Sequence, residues 1–424
     1  QTMNMHTPVH PEADASREIE FGSALLTIED ILLIAENNAP VRLDQSPEFH
    51  DRITAGAEFL DLLLEEDGIV YGVTTGYGDS CTVPVPRHLV EELSLNLSRF
   101  HGCGMGETLS HAASRAVLAV RLVSLSRGYS GVRLELLQRL VEFLNLDVVP
   151  VIPEEGSVGA SGDLTPLSYL VAVLAGEQEV SYRGSRMAAE EVHELLGLTP
   201  LALRPKEGIA VMNGTGVMTA IACGAFARAE YLTRLGARLT ALASFALQGN
   251  SDHFDARLFE VKPHPGQGQI AAWIRHDLNA GEVPRNSGRL QDRYSIRCAP
   301  HVIGVLRDSL PWMRTFIETE LNSVNDNPVI DCEGQRVLHG GHFYGGHIAF
   351  VMDAMKNCVA NLADLMDRQL ALLVDPKFNN GLAANLSGSP KHRAAINHGF
   401  KAVQIAVSAW TAEALKQTMP ASAF

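Results

Sequence analysis

Hydrophobic residues recur along this chain in two distinct patterns, which divide near residue 210. Before it, short stretches with helical periodicity, at 88–100, 113–128 and 133–146, alternate with glycine-rich loops and with strand-like runs such as 68–75. Helical periodicity over such lengths predicts short amphipathic helices, and runs of β-branched and aromatic residues predict strands. This half of the chain is therefore expected to be α+β.

Beyond residue 210 the apolar-periodic stretches are much longer. They cover residues 216–248, 295–323, 346–374 and 392–417. Patterns longer than about 25 residues are typical of a bundle, a coiled coil or a helical repeat. Because no internal repeat of about 20 to 50 residues is visible, a bundle of long helices is favoured. Pro300 and Pro311 are expected to kink or interrupt the second of these helices.

The predicted fold class is therefore mainly α. An N-terminal α+β domain is expected at residues 1–210, followed by a central helical bundle at 211–424. The first 22 residues have no apolar core of a signal peptide and are expected to be disordered.

The composition excludes several classes of partner. The 424 residues are 46% hydrophobic and 20% charged, and the formal net charge is −15. No Lys/Arg-rich run provides the basic face that nucleic acid or an anionic membrane requires, so neither is expected as a partner. The longest apolar runs, such as 169–176, are too short to span a bilayer. Six cysteines without a C-x-x-C pair favour a reducing cytoplasm.

The stretch GSVGASGDLTPLSYL, residues 156–170, has small residues directly before a predicted helix. Its glycines permit unusual backbone conformations, and Asp163 before a Thr-Pro pair is typical of a helix cap. The positive end of that helix would point at residues 160–162. Taken alone, the stretch is a tight turn. A serine nucleophile would need G-x-S-x-G spacing and a phosphate-binding loop would need G-K-[ST], and both are absent from this stretch.

With four other stretches in the same order, this segment resembles the aromatic amino acid lyase family, which contains histidine, phenylalanine and tyrosine ammonia-lyases and related aminomutases. The matches are VYGVTTGYG at 70–78, GSVGASGDL at 156–164, MNGTGVMT at 212–219, YSIRCAPHVIG at 294–304 and ELNSVNDNP at 320–328. The resemblance implies the mainly α fold of the fumarase/aspartase-like superfamily. It also implies a carbon-nitrogen lyase that converts an aromatic L-amino acid into an α,β-unsaturated acid.

In that family an Ala-Ser-Gly tripeptide cyclises on itself. The resemblance implies that Ala160, Ser161 and Gly162 form a 4-methylidene-imidazol-5-one electrophile, with no external cofactor. Cyclisation joins the amide nitrogen of Gly162 to the carbonyl carbon of Ala160, which requires small residues in a compressed loop. Ser161 then loses its hydroxyl as water. A helix N-terminus behind the ring would stabilise negative charge there.

The resemblance implies roles for five further residues. Tyr71 corresponds to the catalytic tyrosine, which acts as the base. Arg297 is the candidate for binding the substrate carboxylate, since its planar guanidinium suits bidentate contacts. Asn325 resembles the partner of this carboxylate site, Tyr294 the tyrosine close to the electrophile, and Asn213 the residue that hydrogen-bonds the electrophile.

Substrate choice is expected to depend on Phe100 and His101, because a pair at this position lines the side-chain pocket in the family. The family tends to show Phe-Leu in phenylalanine lyases, His-Leu or Ser-His in tyrosine lyases and Ser-His in histidine lyases, so this pair mixes the patterns. An unpaired buried histidine would disfavour an unsubstituted ring by about 1–3 kcal/mol. Tyrosine, giving p-coumarate, is therefore predicted first. Histidine giving urocanate, phenylalanine, a 2,3-aminomutase reaction and a purely structural role for His101 remain alternatives.

Two departures from the family pattern stand out. Where the family has Asn-Phe-His, this chain has HGGHFYGG at 339–346, with His342 and Tyr344 in place of Asn and His. His339, His342 and His347 lack an accompanying set of carboxylates, so no metal is expected. The chain also ends before the family's usual C-terminal portion, so it is expected to be truncated.

The family resemblance also implies a homotetramer whose active sites draw on more than one chain. The competing interpretation is an inactive helical scaffold that has lost its chemistry. A scaffold has no need for Tyr71, Ser161, Asn213, Arg297 and Asn325 together, so their joint presence favours an enzyme.

Overall fold

The computed structural model describes residues 17–66, 68–279 and 288–423. Packing divides the chain into two compact units that do not follow chain order. The first contains residues up to 224 together with 315–348, and the second contains 225–314 together with 349–424. The predicted division into domains at residue 210 remains a prediction.

The first unit combines short helices with small sheets. Its helices are α1 (Ile28–Asn37), α2 (Pro47–Glu65), α3 (Val90–His101), α4 (His111–Ser126), α5 (Leu134–Leu146), α6 (Leu164–Leu174), α7 (Ala189–Leu196) and α8 (Glu207–Met212). Its strands are β1 (Ile19–Phe21), β2 (Val41–Leu43), β3 (Met105–Thr108), β4 (Val149–Pro150), β5 (Pro153–Glu155), β6 (Glu179–Tyr182), β7 (Ser185–Ala188), β8 (Val329–Asp331) and β9 (Arg336–Leu338). β1 pairs in parallel with β2, whereas the pairs β3 with β5, β4 with β6, β6 with β7 and β8 with β9 are antiparallel.

The core of the first unit is centred on α4. Every residue of this helix from Ser114 to Ser126 is buried. A helix that is buried on all sides must satisfy any polar side chain it carries, and α4 carries both Arg115 and Arg121.

The remaining helices are α9 (Gly216–Ala246), α10 (Ala256–Glu260), α11 (Pro265–Asp277), α12 (Tyr294–Arg297), α13 (Ala299–Leu321), α14 (Gly346–Val374) and α15 (Lys401–Lys416). They include the three longest of the described helices, α9, α13 and α14. The boundaries between the units fall inside α9, α13 and α14. The described residues are thus mainly helical, which confirms the predicted fold class.

Most predicted helices form, but one predicted strand does not. The helices predicted from sequence periodicity are confirmed for α3, α4, α5, α9 and α14. Within 68–75, residues 71–74 form turns instead of a strand, and Thr75 makes only an isolated bridge with Pro84. Gly72 adopts a φ of +67°, and its N–H donates to the hydroxyl of Thr75 at 3.1 Å, so the local polar contacts favour a turn over an extended chain.

Two of the long periodic stretches are shorter as helices than predicted. The stretch 295–323 is divided at Cys298 into α12 and α13, and α13 continues through Pro311, which therefore does not interrupt it. Pro300 lies in the first turn of α13, where its missing N–H is tolerated. The stretch 392–417 is α-helical only from Lys401, because a 3₁₀ helix covers Lys391–Ile396 and Gly399, with a positive φ of 49°, lies between the two.

The N-terminal segment and the apolar runs also differ from expectation. Residues 1–16, expected to be disordered, lie outside the described residues, but Ile19–Phe21 form β1, so the prediction is wrong there. The stretch Glu207–Ala246 is long and apolar enough to cross a membrane by length and composition, which the sequence did not suggest. Of its most apolar window 78% is buried, as is usual for a core helix.

Candidate active site

The Ala160-Ser161-Gly162 tripeptide lies in a compact loop directly before α6. The backbone N–H and the hydroxyl of Ser161 both donate to the carbonyl of Val158, at 2.9 and 3.1 Å. Gly162 forms an isolated antiparallel bridge with the same residue. The chain therefore folds back on itself across the tripeptide.

Only glycine fits at position 162. Its φ is +80°, a conformation that other L-residues rarely adopt. A Cβ there would lie 2.8 Å from the carbonyl oxygen of Gly214 and 3.2 Å from the backbone of Phe343. The tripeptide is thus held tightly against two segments that are distant in sequence.

Asp163 does not act as the cap predicted from the sequence. It stands at the N-cap position of α6, but its side chain makes no capping bond to that helix. Its carboxylate instead accepts from the N–H groups of Val217 and Met218, at 2.8 and 2.9 Å, in the first turn of α9. It also accepts from the hydroxyl of Ser157 at 2.5 Å. The loop is therefore anchored to a helix that begins more than 50 residues later.

The environment of Asp163 is almost dry, with 1% of its surface exposed. Burial raises the pKa of this carboxyl, and the hydrogen bonds from Ser157, Met218 and Val217 oppose that rise. Its own backbone N–H donates to the carbonyl of Gly214 at 2.8 Å. Side chain and backbone of one residue thus fix the same turn, at residues 213–218.

Asn213 and Asn325 lie on two turns that pack against each other in the first unit. The side-chain amide of Asn213 donates to the carbonyl of Asn327 at 3.2 Å, and its buried Oδ1 has no partner among the described residues. Asn325 donates its side-chain amide to the carbonyl of Glu320 at 3.2 Å, and its backbone N–H donates to the hydroxyl of Ser124 at 2.9 Å. Asn213 therefore offers a buried acceptor that is available to a further donor.

Buried charges support these turns, and the sequence did not single them out. The Nη2 group of Arg121 donates to the carbonyls of Ala210 and Asn325 at 2.6 and 2.9 Å. Lys206 and Asp326 form an ion pair at 2.5 Å with both side chains fully buried. Burial raises the pKa of Asp326 and lowers that of Lys206, and each partner opposes the shift of the other. The sequence contained one signal for these buried charges: Arg121 is a charged residue within the otherwise apolar pattern of α4.

The segment 339–346, which departs from the family pattern, packs against the tripeptide loop. The N–H of Gly345 donates to the carbonyl of Gly159 at 3.0 Å, and Phe343 packs against Gly162. The flanking His342 and Tyr344 are exposed in this chain. The two residues that differ from the family pattern therefore lie beside the tripeptide.

Tyr71 is placed by the turn that replaces the predicted strand. Its phenol oxygen accepts from the backbone N–H of Gly78 at 2.8 Å, so its own proton is not used in that bond. Its ring meets the ring of Tyr77 edge to face, with centroids 6.2 Å apart. Burial raises the pKa of Tyr77, which therefore remains protonated near neutral pH.

Phe100 and His101 form a tilted ring pair on the last turn of α3, with centroids 4.7 Å apart. The Nδ1 atom of His101 lies 2.9 Å from the carbonyl of Leu97. A carbonyl only accepts, so we assign a proton to Nδ1, and in the neutral imidazole Nε2 then carries a lone pair. His101 thus presents an acceptor, while Phe100, with 59% of its surface exposed, presents an apolar face.

Tyr294 and Arg297 belong to the second unit. The guanidinium of Arg297 stacks over the ring of Tyr294 at 4.5 Å, and its Nε donates to the carbonyl of Asp292 at 3.0 Å. The short helix α12 that carries both is held by Gln369 of α14, whose amide donates to the carbonyl of Ser295 at 2.8 Å. The same amide donates to Thr240 at 2.9 Å.

The structure therefore brings some of the predicted residues into contact. The tripeptide loop packs against the turn of Asn213, and Gly214 of that turn lies against Asn325. Tyr71 and the pair at 100–101 lie on other segments of the same unit. Tyr294 and Arg297 form a separate contact in the second unit. Over residues 17–66, 68–279 and 288–423, no cluster of three or more potential metal ligands is present.

This fold with its self-folded Ala-Ser-Gly loop defines a class of lyase. The family model described as aromatic amino acid lyase matches residues 26–424. The chain belongs to the aromatic amino acid lyase family, and it is a carbon-nitrogen lyase.

Three known proteins illustrate the similarity. The chain is 37% identical over 400 residues to a histidine ammonia-lyase of Myxococcus xanthus, covering 94% of this chain and 77% of that one. It is 38% identical to a phenylalanine ammonia-lyase of Nostoc punctiforme, covering 91% and 70%. The crystal structure of a tyrosine aminomutase from Streptomyces globisporus matches with a TM-score of 0.85 at 33% identity, covering 94% and 78%.

Proposed function

We propose that this protein eliminates ammonia from L-histidine to give urocanate. The sequence placed tyrosine first, but relatives such as the Myxococcus xanthus protein are named histidine ammonia-lyases and do not support that order. The lone pair on Nε2 of His101 can accept a hydrogen bond from an imidazole N–H. The observation that carries the lyase chemistry is the Ala-Ser-Gly loop folded against Gly214.

The residues present fit the internal electrophile of the family. When formed from Ala160, Ser161 and Gly162, a 4-methylidene-imidazol-5-one supplies an electron-poor centre that makes the substrate's amino group a better leaving group. Two features support the fit: Gly162 has the conformation and close packing that only glycine allows, and the buried Oδ1 of Asn213 is available as an acceptor. Asn213 would orient the tripeptide through that atom.

Other residues of the chain bind the substrate and move its proton. Tyr71 would remove the β-proton, since its oxygen is oriented by the Gly78 N–H. Arg297 would bind the substrate carboxylate through charge-assisted hydrogen bonds, with Asn325 as its partner. The ring of Tyr294 would orient Arg297, as it does through the stacking contact at 4.5 Å.

We also propose that the protein works as a cytoplasmic homotetramer. Large apolar side chains are exposed on two long helices. On α9 these are Leu239, Leu242 and Phe245, and on α15 they are Val403, Ile405 and Trp410. Exposed apolar residues clustered on neighbouring turns are typical of protein interfaces.

A turnover assay with product analysis tests the proposed reaction. Purified protein is incubated with L-histidine, L-tyrosine or L-phenylalanine while product absorbance is followed, and intact mass spectrometry measures the loss of two waters expected for the cyclised tripeptide. We expect kcat/KM for histidine to exceed that for tyrosine at least ~10-fold, about 1.4 kcal/mol of barrier. Ser161→Ala should lose the mass deficit and at least ~10³-fold in rate, about 4 kcal/mol.

Two results would overturn the proposal in different ways. Tyrosine as the better substrate would return substrate choice to the prediction made from residues 100–101. Turnover of none of the three amino acids, with no mass deficit, would favour the inactive scaffold.

A 2,3-aminomutase is the second candidate. It is favoured by the TM-score of 0.85 to the tyrosine aminomutase of Streptomyces globisporus. The same product analysis separates the two reactions, because an aminomutase gives a β-amino acid and a lyase gives the unsaturated acid with free ammonia.

A further inference from the structure

Arg121 occupies an unusual place among the buried charges of the first unit. It lies on α4 with none of its surface exposed, inside an otherwise apolar stretch of the helix. A fully buried guanidinium is costly unless its donors are satisfied. Two of its nitrogens, Nε and Nη1, have no hydrogen-bond partner among the described residues. Burying Arg121 in this way therefore lowers the stability of the folded state. An apolar residue packed at the same position would avoid that loss.

The contacts of Arg121 converge on the turns that carry Asn213 and Asn325. Its Nη2 donates to the carbonyl of Ala210, three residues before Asn213, and to the carbonyl of Asn325 itself, at 2.6 and 2.9 Å. Its Nη1 lies directly against Gly214, where an added Cβ would come within 2.5 Å of that nitrogen. One guanidinium thus spans both turns, which a lysine with its single nitrogen could do less well.

Arg121 also interacts electrostatically with a carboxylate beside the tripeptide. Two buried carboxylates, Asp163 and Asp326, interact electrostatically with it. Asp326 already has Lys206 as an ion-pair partner at 2.5 Å. For Asp163, the residue directly after the tripeptide, Arg121 favours the ionised form less than the hydrogen bonds from Ser157, Met218 and Val217 do.

We propose that Arg121 is a positioning residue for the electrophile: it fixes the turns of Asn213 and Asn325, so that the tripeptide cyclises and the cyclised enzyme turns over. This inference rests on the proposed function. Arg121 itself touches backbone carbonyls and is not a catalytic residue.

The same helix supplies a matched control. Arg115 is also buried on α4, with 1% of its surface exposed. It donates to the carbonyls of Ile34 and Leu144 at 3.0 and 3.1 Å and to the carboxylate of Asp147 at 2.6 Å. None of these partners belongs to the candidate site. Arg115→Met therefore reproduces the loss of a buried arginine without disturbing the tripeptide.

The experiment compares Arg121→Met with Arg115→Met in the full-length protein. For each folded variant, intact mass spectrometry gives the fraction of chains that lack two waters, and kcat and KM are measured with L-histidine. Thermal midpoints report the general loss of stability. We expect Arg121→Met to reduce the cyclised fraction or the kcat per cyclised chain at least ~10-fold. Arg115→Met should keep both within about 2-fold of wild type at a comparable loss of thermal midpoint.

A conservative pair covers the case in which either methionine variant does not fold. Arg121→Lys keeps the charge but cannot span both turns, so it should lose activity in part, whereas Arg115→Lys should not. Equal losses in the matched variants, or wild-type cyclisation and kcat in Arg121→Met or Arg121→Lys, would overturn this inference alone. A wild-type protein without the mass deficit would overturn the proposed function, and this inference with it.

Discussion

Asp163 ties the reactive tripeptide to a helix that is remote in sequence. Its carboxylate replaces a side-chain cap at the start of α9, since it accepts from two N–H groups of that helix. A carboxylate at a helix N-terminus also interacts favourably with the partial positive charge there. The residue is therefore part of the packing of α9 as much as of the tripeptide loop.

Asp163→Ala should destabilise the protein and reduce cyclisation. Removing the carboxylate leaves the N–H groups of Val217 and Met218 buried without a partner, which costs about 1–3 kcal/mol. Thermal unfolding measures the first effect, and the two-water mass deficit measures the second.

Ser110→Ala is the control for Asp163→Ala. The Ser110 hydroxyl caps α4 by accepting from the N–H of Ala113, so its loss also costs a helix cap. The thermal unfolding midpoint of Ser110→Ala should fall, while its two-water mass deficit should remain that of wild type. If both variants remained fully cyclised, Asp163 would have only a structural role.

At the scale of single residues, the sequence identifies candidate residues better than it predicts their contacts. The tripeptide was identified through the family resemblance, and the structure places Gly162 where no Cβ fits. The partner of Asp163 could not be predicted, because a carboxylate before a helix is ordinarily its cap and α9 begins far along the chain. Arg121 was missed because its partners are backbone carbonyls, which leave no trace in residue type.

Among the elements, helix periodicity was a reliable signal and short apolar runs were not. The periodic stretch 346–374 became a helix with the predicted bounds, whereas 295–323 is divided at Cys298 and 392–417 is α-helical only from Lys401. The run 68–75 has the composition of a strand, but side-chain to backbone bonds from Thr74 and Thr75 close it into turns. Such local bonds compete with strand pairing and depend on glycine conformations that composition does not reveal.

Helix α7 carries a histidine that should make stability depend on pH. His193 is 1% exposed, and neither ring nitrogen has a partner among the described residues. Burial, with a smaller effect from Arg139, lowers the pKa of His193. As pH falls below the unfolded value of about 6.5, the unfolded chain takes up a proton that the folded chain resists. The folded state should therefore lose up to about 1.4 kcal/mol per pH unit through this group.

His193→Leu should flatten that dependence. We expect the difference in thermal midpoint between pH 7.5 and pH 5.5 to be smaller in this variant than in wild type. His398, which is exposed, serves as the control, and His398→Leu should keep the wild-type difference. An unchanged difference in His193→Leu would assign the acid sensitivity to another group.

For the whole molecule, the exposed apolar residues of α9 give the assembly a direct test. Leu242→Glu should shift the protein from four copies to smaller species, because a charge in an apolar interface is poorly solvated. Light scattering coupled to size exclusion, over a range of concentrations, measures this. Leu195→Glu, at a residue with 64% of its surface exposed on α7, is the matched control and should leave the mass unchanged. A wild-type monomer would contradict the proposed tetramer.

The way the tripeptide is held has a consequence for when the enzyme becomes active. The loop of residues 159–163 is held by backbone or side-chain bonds to Gly214, to the first turn of α9 and to Gly345. A ribosome synthesises these partners later than the tripeptide, and the last of them lies nearly 200 residues further along the chain. The nascent chain therefore carries an ordinary Ala-Ser-Gly sequence at least until Gly345 has been synthesised. If the tripeptide cyclises as proposed, the reactive group forms after these distant segments have folded around it, so the two-water mass deficit would report that this part of the chain has folded.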